Sequence, residues 1–280
     1  MKYTFAVIIF AALLALAGSH GGNLFRGIPV FALCALVAFA LQWFAFVPAY
    51  YLQTEKFYDL TGSLTFITLV LMALALGGDI DNRALLLAAC VLIWALRLGS
   101  YLFRRILHDG SDTRFDHIKP VASRFFLTWT LQGLWVLTTS ACALAAMTSP
   151  GHVDLQWFDI PGLALFVSGF AIEVIADQQK RRHRARCGPD RFIDSGLWRR
   201  SRHPNYFGEI TLWCGIALLA APALSGWQWA TLVSPVFVTV LLTRISGIPL
   251  LERKADQRWG DDPTYRAYKK NTPVLLPRWH

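Results

Sequence analysis

Eight long apolar stretches constrain the fold of this chain more than any other feature. They cover residues 4–18, 28–50, 61–78, 84–103, 124–147, 160–177, 207–223 and 228–248. Most approach the roughly 20 residues that a helix needs to cross a bilayer. The apolar residues are continuous rather than alternating, which is typical of spanning helices and not of barrel strands. The sequence therefore predicts an all-α, polytopic membrane bundle with seven core transmembrane helices and a possible eighth at the N-terminus.

The composition agrees with this class. The chain has 280 residues, is 55% hydrophobic, and contains 11 Trp and 19 Phe, which fits a soluble globular domain poorly. No low-complexity linker or fixed repeat interrupts it, so we expect a single membrane domain over residues 1–280. The first apolar stretch, preceded by Lys2 and ending in small residues, also fits a cleavable signal peptide, and both interpretations stay open.

The net charge of +9 is unevenly distributed. Basic residues concentrate in Arg97–Arg124, Lys180–Arg202 and Arg253–Lys270, whereas the short loops between other spans hold almost none. The positive-inside rule then places these three segments and the C-terminus in the cytoplasm. Topology and attraction to anionic lipid explain part of the basic excess, and the rest favours an anionic ligand. A nucleic-acid partner is not expected, because no part of the sequence is typical of a soluble nucleic-acid-binding module.

The sequence does not predict a metal site. The 5 cysteines show no CxxC spacing, and most lie inside apolar stretches, as small core residues do. The loop 108–117 holds two His and three Asp without the ligand spacing of a zinc site. A solvated turn explains that loop more simply.

A dense polar segment, Ser195–Glu209, lies between two apolar stretches. Its Arg, His, Asn, Tyr and Glu side chains are costly to desolvate at a membrane boundary unless they bind something. Pro204 can open the next helix directly after them. The excess of arginine indicates an anion site.

Three further polar segments carry candidate residues. If Leu52–Thr61 continues as a helix into the next span, residues 55 and 59 share a face; an interfacial loop with an aromatic anchor is the alternative. Arg97, Tyr101 and Arg104 fall on one helical stripe, where a tyrosine among arginines is a candidate proton donor, although a snorkelling Arg and Tyr belt gives the same pattern. The segment 173–184 places acids inside the boundary and bases just outside it, which suits a functional site or a structural ion pair.

Together these segments resemble the membrane-embedded steroid 5α-reductase family, particularly its bacterial branch. The resemblance is carried by Gln53–Asp59, by Tyr101 with Arg104, by Asp177 leading to Arg181 and Arg184, and by Gly196-Leu197 followed by Arg202-His203-Pro204-Asn205-Tyr206-Phe207-Gly208-Glu209. It runs from about residue 50 onward, with a reductase-type C-terminal half at about 125–280. The last motif also resembles sequences in sterol C14-reductases and in isoprenylcysteine or phospholipid methyltransferases.

The resemblance implies NADPH-dependent reduction of a C=C bond conjugated to a ketone, with a 3-oxo-Δ4 steroid or another lipid enone as substrate. It implies that Tyr101 and a Glu55 kept protonated by burial polarise the ketone, with Gln53 holding Glu55 or the substrate. The family has this glutamine and glutamate adjacent, whereas Thr54 separates them here, which favours Tyr101 as the acid. The implied cofactor-binding residues are Arg104, Asp177, Arg181, Arg184, Arg202, His203, Asn205, Tyr206, Glu209 and Tyr268.

Two other functions are weighed against this one. A membrane methyltransferase that uses S-adenosylmethionine shares the Arg202–Glu209 motif but does not need Gln53, Glu55 and Tyr101. A transporter without chemistry predicts charges across the midplane, whereas the polar segments here gather on one side. We expect a protein of the bacterial inner membrane, in contact with membrane lipid, with a cytoplasmic cofactor pocket; a monomer suffices, and the sequence leaves the oligomeric state open.

Overall fold

The computed structural model describes residues 2–188 and 190–278, and all their side chains except those of residues 108, 109 and 113. The chain divides into two compact units, Met1–Trp157 with Ile216–Ser234, and Phe158–Gly215 with Pro235–His280. The expectation of a single membrane domain stays a prediction.

The described residues form ten α-helices and one short hairpin. The hairpin pairs β1 (Leu24–Phe25) with β2 (Ile28–Pro29) antiparallel. The helices are α1 (Lys2–Gly18), α2 (Val30–Tyr51), α3 (Tyr58–Leu76), α4 (Asn82–Asp109), α5 (Ala122–Met147), α6 (Ile160–Cys187), α7 (Pro204–Ala220), α8 (Val233–Val240), α9 (Ile248–Trp259) and α10 (Pro263–Asn271). Short 3₁₀ turns lie at Thr113–Phe115, Trp157–Asp159, Gly196–Arg199, Ala221–Ala223 and Gly226–Leu232, and Leu241–Ile245 is a π-helical turn.

Seven helical segments of the described chain are long and apolar enough to cross a membrane, as the sequence predicted. They are Val30–Tyr51, Tyr58–Leu76, Asn82–Leu107, Ala122–Met147, Trp157–Cys187, Pro204–Ala223 and Gly226–Trp259. The all-α membrane bundle is thereby confirmed. The first apolar stretch forms a shorter helix, α1, so an eighth span stays a prediction.

Helix α5 is the centre of the first unit. It packs against α1, α2, α3 and α4, and 89% of its most apolar 18-residue stretch is buried. Its buried side chains include polar ones, such as Thr130, Gln132 and Ser140, which suits a helix that its neighbours shield from lipid. Close approach is aided at Gly62 of α3, where a Cβ atom would collide with the side chain of Gln132 on α5.

A buried arginine ties together the loops at one end of this unit. Arg83 is only 1% exposed and donates to the backbone carbonyls of Val153 (3.1 Å), Asp154 (3.0 Å) and Leu219 (2.6 Å). The preceding Asp81 caps α4 by accepting from the Ala84 N–H at 2.7 Å. A guanidinium with several fixed acceptors satisfies the requirement that buried charges be hydrogen-bonded.

In the second unit, glycines bring α6 and α7 into backbone contact. A Cβ added at Gly208 of α7 would lie 2.6 Å from the Gly169 carbonyl oxygen and 2.7 Å from the Glu173 nitrogen of α6. One added at Gly215 would lie 2.6 Å from the Gly162 oxygen. Small residues let membrane helices approach closely and gain packing contacts. This glycine seam fixes the start of α7 against the polar end of α6.

Candidate functional site

A single carboxylate, Glu252 of α9, organises the polar residues of the second unit. Its oxygens accept from Arg202 Nη1 at 2.7 Å and bond His203 Nε2 at 2.8 Å, and Lys269 Nζ lies 3.4 Å away. Hydrogen bonds of this charge-assisted kind are roughly twice as strong as neutral ones. Glu252 therefore holds Arg202 and His203 in fixed positions directly before α7.

His203 is buried, with 5% of the residue exposed. Burial lowers the pKa of its imidazole below the ordinary value, and Glu252 opposes that shift without cancelling it. A neutral ring that donates from Nε2 to Glu252 presents Nδ1 as an acceptor. The ring also stacks on Tyr206, with centroids 5.8 Å apart and planes 11° apart.

Three buried polar atoms at this point have no hydrogen-bond partner among the described residues: Arg202 Nε, His203 Nδ1 and Asn205 Oδ1. Buried polar atoms in folded proteins are almost always hydrogen-bonded, and an unmet one costs about 1–3 kcal/mol. The three atoms follow one another along Arg202–Asn205, where α7 begins. They offer one donor and two acceptors to a polar ligand.

The segment before α7 is firmly anchored to its own unit. Gly196 has φ +62°, a conformation that favours glycine, and the next N–H, of Leu197, donates to Gln179 Oε1 at 2.9 Å. Trp198 is buried and donates from its indole nitrogen to the Ala176 carbonyl at 3.0 Å. Tyr268 donates from its hydroxyl to the Trp198 carbonyl at 2.7 Å, and burial raises the pKa of that phenol. Tyr268 thus supports the segment that carries the buried polar atoms.

The remaining candidates of this unit lie on α6 and α7. Asp177 is buried on α6, while Arg181 and Arg184 are exposed on the same helix, nearer its C-terminal end. Glu209 is half-buried on α7. Lys180, which the sequence analysis did not single out, lies over the Trp198 ring at 4.9 Å from its centroid. The structure thus brings Arg202 and His203 to one carboxylate, with Tyr206 stacked on His203, and α6 of the same unit carries further cations.

Tyr101 and Arg104 belong to the first unit. Both lie on α4, where Tyr101 is half-buried and Arg104 is exposed. The guanidinium carbon of Arg97 lies 5.4 Å from the centroid of the Tyr101 ring. The sequence predicted that Arg97 and Tyr101, one helical turn apart, lie on one side of the helix, and this contact confirms it. The Tyr101 ring therefore lies beside a cation.

The contacts of Glu55 are not those expected of a carboxyl that burial keeps protonated. It is only 4% exposed, but it forms an ion pair with Lys119 at 2.5 Å and accepts from the Asp112 N–H at 2.8 Å. Burial by itself raises the pKa of this carboxyl, yet Lys119 and Asp112 outweigh it and hold the pKa below its usual value. Glu55 is therefore an ionised, paired carboxylate and not a protonated acid.

The structure decides between the alternatives for this segment. Helix α3 begins only at Tyr58, so the segment is the interfacial loop, and residues 55 and 59 do not share a helical face. Gln53 is exposed, adopts φ +49° and donates to the Tyr50 carbonyl at 2.6 Å rather than to Glu55, so a contact of Gln53 with substrate stays a prediction. The segment 52–57 is thus the loop that connects α2 to α3.

Sequence reasoning missed Glu252, although a signal for it existed. It is a carboxylate that follows directly on the last apolar stretch, next to the basic Arg253 and Lys254. The sequence pattern alone could not choose Arg202 and His203 as its partners, since they lie in another element. No group of three or more potential metal ligands is found among the described residues; the side chains of His108 and Asp109, in the loop considered for a metal, fall outside them.

Comparison with known proteins gives two matches. The model of a family described as "Protein of unknown function (DUF1295)" matches residues 45–272. An uncharacterized protein of Schizosaccharomyces pombe is 24% identical over 246 residues, which is 76% of this chain and 69% of that protein. No solved structure matches the chain. Because the family match covers most of the chain, this protein belongs to the DUF1295 family, a family of membrane proteins related to the steroid 5α-reductases.

Proposed function

We propose that the protein is an NADPH-dependent reductase of membrane-soluble enones, with a 3-oxo-Δ4 steroid as the first substrate to test. Kinship with the steroid 5α-reductases supports the reaction class. The polar cluster before α7 supports the cofactor. The proposal includes a site on the cytoplasmic face of a bacterial inner membrane, in line with the clustering of basic residues in three segments.

The observation that carries this proposal is the set of unpartnered buried atoms on Arg202, His203 and Asn205. Membrane burial makes an unmet hydrogen bond costly, so a site that keeps three in succession is suited to a polar ligand. A dinucleotide offers what these atoms lack: phosphate oxygens for a guanidinium donor, and ribose hydroxyls or a carboxamide for the two acceptors.

The residues present fit NADPH. Arg202 and His203 would hold it at the start of α7, together with Asn205 and Tyr206, and Arg181 and Arg184 would add positive charge for its phosphates. We assign Asp177 and Glu209 to the same binding role, with Tyr268 supporting the segment through Trp198. The role in cofactor binding that the family resemblance implies for Arg104 stays a prediction. When bound, NADPH supplies the hydride that the β carbon of the enone accepts. Arginine is the side chain best matched to phosphate geometry, and the extra phosphate of NADPH explains the preference over NADH.

Tyr101 takes the role of proton donor in this proposal. Negative charge develops on the ketone oxygen as the β carbon is reduced, and a phenol that donates a hydrogen bond there stabilises it. Proton transfer from Tyr101 to that oxygen gives the enol, which becomes the saturated ketone when the α carbon takes up a proton from water and the oxygen releases its own; water then returns a proton to the Tyr101 phenolate. Glu55 has no part in this step, because its carboxylate is ionised and paired.

The direct test uses purified protein and testosterone or progesterone with NADPH. We expect the 5α-dihydro product by mass spectrometry, with NADPH consumed in equal amount and NADH much less effective. Protein that binds S-adenosylmethionine and not NADPH would refute the reductase and favour the methyltransferase, which shares the Arg202–Glu209 motif. NADPH binding without turnover of steroids would retain the reaction class and redirect the search to other lipid enones.

A further inference from the structure

A cationic pocket lies in the second unit, and none of its residues belongs to the proposed cofactor site. The cavity measures about 470 Å³ and is lined by Arg199, Arg200, Asn271, Pro273 and Arg278. Its size falls within the range of about 300–1,000 Å³ that small-molecule sites occupy. The pocket shares no residue with the Glu252 cluster, because the guanidinium of Arg202 is bonded to Glu252 and does not line the pocket.

The walls of this pocket are two chain segments bonded to each other through the backbone. The Arg278 N–H donates to the Arg200 carbonyl at 3.0 Å, and the Arg202 N–H donates to the Pro273 carbonyl at 2.9 Å. Ser201, which follows Arg200 in the sequence and is fully buried, donates from its hydroxyl to the Leu275 carbonyl at 2.8 Å. Hydrogen bonds between the two segments thus hold the backbone at Arg200 and Arg278.

The charge of the pocket points to an anion. Its described lining holds three guanidinium groups and one amide. Guanidinium groups pair with phosphate oxygens through two parallel hydrogen bonds, which makes phosphate their best-matched partner.

The position of the pocket suits a phosphate at the membrane surface as well as one in solution. A membrane-spanning segment begins at Pro204, shortly after Arg200 along the chain. Basic residues directly beside a span attract anionic lipid headgroups. The same three guanidinium groups could take a phosphate from a soluble compound. The chemistry of the bound group is the same in both cases.

We propose that Arg199, Arg200, Asn271 and Arg278 form a specific phosphate-binding site. Its ligand is a phosphate mono- or diester, carried by an anionic phospholipid or by a soluble phosphate. This site is independent of the proposed reductase activity, and its test contains no nucleotide.

The test compares detergent-purified protein with two charge-matched variants. The site variant is Arg199→Gln, Arg200→Gln, Arg278→Gln. The control is Arg253→Gln, Lys254→Gln, Lys270→Gln, which removes the same charge from exposed positions of the same unit outside the pocket. One arm titrates phosphatidylglycerol against phosphatidylcholine by native mass spectrometry. The other measures radiolabelled orthophosphate by equilibrium dialysis.

We expect the site variant to lose about tenfold or more in affinity in at least one arm, as loss of charge-assisted bonds requires, while the control stays within about twofold. Loss confined to phosphatidylglycerol identifies a lipid headgroup, and loss confined to orthophosphate identifies a soluble phosphate. The proposal is overturned if the unaltered protein prefers neither anion, or if the site variant binds both as the control does. Arg278→Gln alone, near the end of the chain, gives the same decision if the triple variant does not fold.

Discussion

The carboxylate of Glu55 and the ammonium of Lys119 lie 2.5 Å apart and join the loop after α2 to the chain that precedes α5. Glu55 also accepts from the Asp112 backbone N–H, so one side chain fixes the segment between α4 and α5. Phe57, Phe115 and Trp129 pack in the apolar cluster nearby in the same unit. The pair therefore stabilises the first unit.

Breaking this pair is expected to destabilise the protein. Lys119→Met leaves the buried Glu55 carboxylate without its cation, which costs about 3–5 kcal/mol. Glu55→Gln should cost less, because Lys119 keeps a second carboxylate, Asp116, at 3.8 Å. The double variant should recover part of that loss, because neither charge is then left alone. Thermal unfolding in detergent, followed by tryptophan fluorescence, measures all three. A Glu55→Gln protein that unfolds like the parent yet turns over substrate much more slowly would instead favour a catalytic acid.

The same pair predicts a pH dependence. The pKa of Glu55 is lower in the folded state than its ordinary value of about 4.3, so its stabilisation is fully present above that value. It is lost as the pH falls through the folded-state pKa. We expect the difference in unfolding temperature between the parent and Glu55→Gln to shrink below about pH 4. A difference that persists unchanged at lower pH would exclude ionisation of Glu55 as its cause.

Gly208→Ala is expected to disturb the contact of α6 with α7. The added methyl would lie 2.6 Å from the Gly169 oxygen and 2.7 Å from the Glu173 nitrogen, so the backbones must separate. Overpacking of this kind costs about 1–3 kcal/mol. Ser168→Ala, on an exposed position of α6, is the matched control and should unfold like the parent. Equal unfolding temperatures for the two variants would show that α6 and α7 move apart enough to accommodate the methyl group at little cost in stability.

Tyr101→Phe tests the proposed proton donor. It removes the hydroxyl while keeping the ring that Arg97 contacts, so we expect turnover to fall about 10²–10⁴-fold with little change in NADPH affinity. Tyr51→Phe, at a residue that is 81% exposed, controls for loss of a hydroxyl in general. Single-turnover measurements separate the chemical step from cofactor binding. Reduction at the parent rate would remove Tyr101 from the mechanism.

Asn205→Ala distinguishes a role of Asn205 in NADPH binding from a role in stability. Because Asn205 Oδ1 is buried without a partner in the described part of the chain, removing it should leave the unfolding temperature of ligand-free protein unchanged or raise it. The same change should weaken NADPH binding about tenfold, since one hydrogen bond is lost. Thr211→Ala on the same helix is the control. Lower stability with unchanged NADPH affinity would make Asn205 a structural residue.

The membrane architecture could be predicted from the sequence. Each apolar stretch became a helix or a series of helical turns, because a chain in lipid must bond its own backbone and helices do so locally. Arg97 and Tyr101 could also be paired, since one turn of helix separates them. The location of the polar cluster before α7 followed from the cost of polar residues at a membrane boundary.

Contacts across long separations were decided only by the tertiary structure. Glu55 was expected to be protonated because burial alone raises the pKa of a carboxyl; its partner Lys119 comes from a distant loop, and that ion pair reverses the sign. Glu252 acquires its role through Arg202 and His203, which belong to another element. Local periodicity carries no information about such partners. The sequence by itself thus determined which segments are helices and where polar chemistry gathers, whereas packing decided which charges are paired, because the free energy of a buried charge depends on its nearest partner in space.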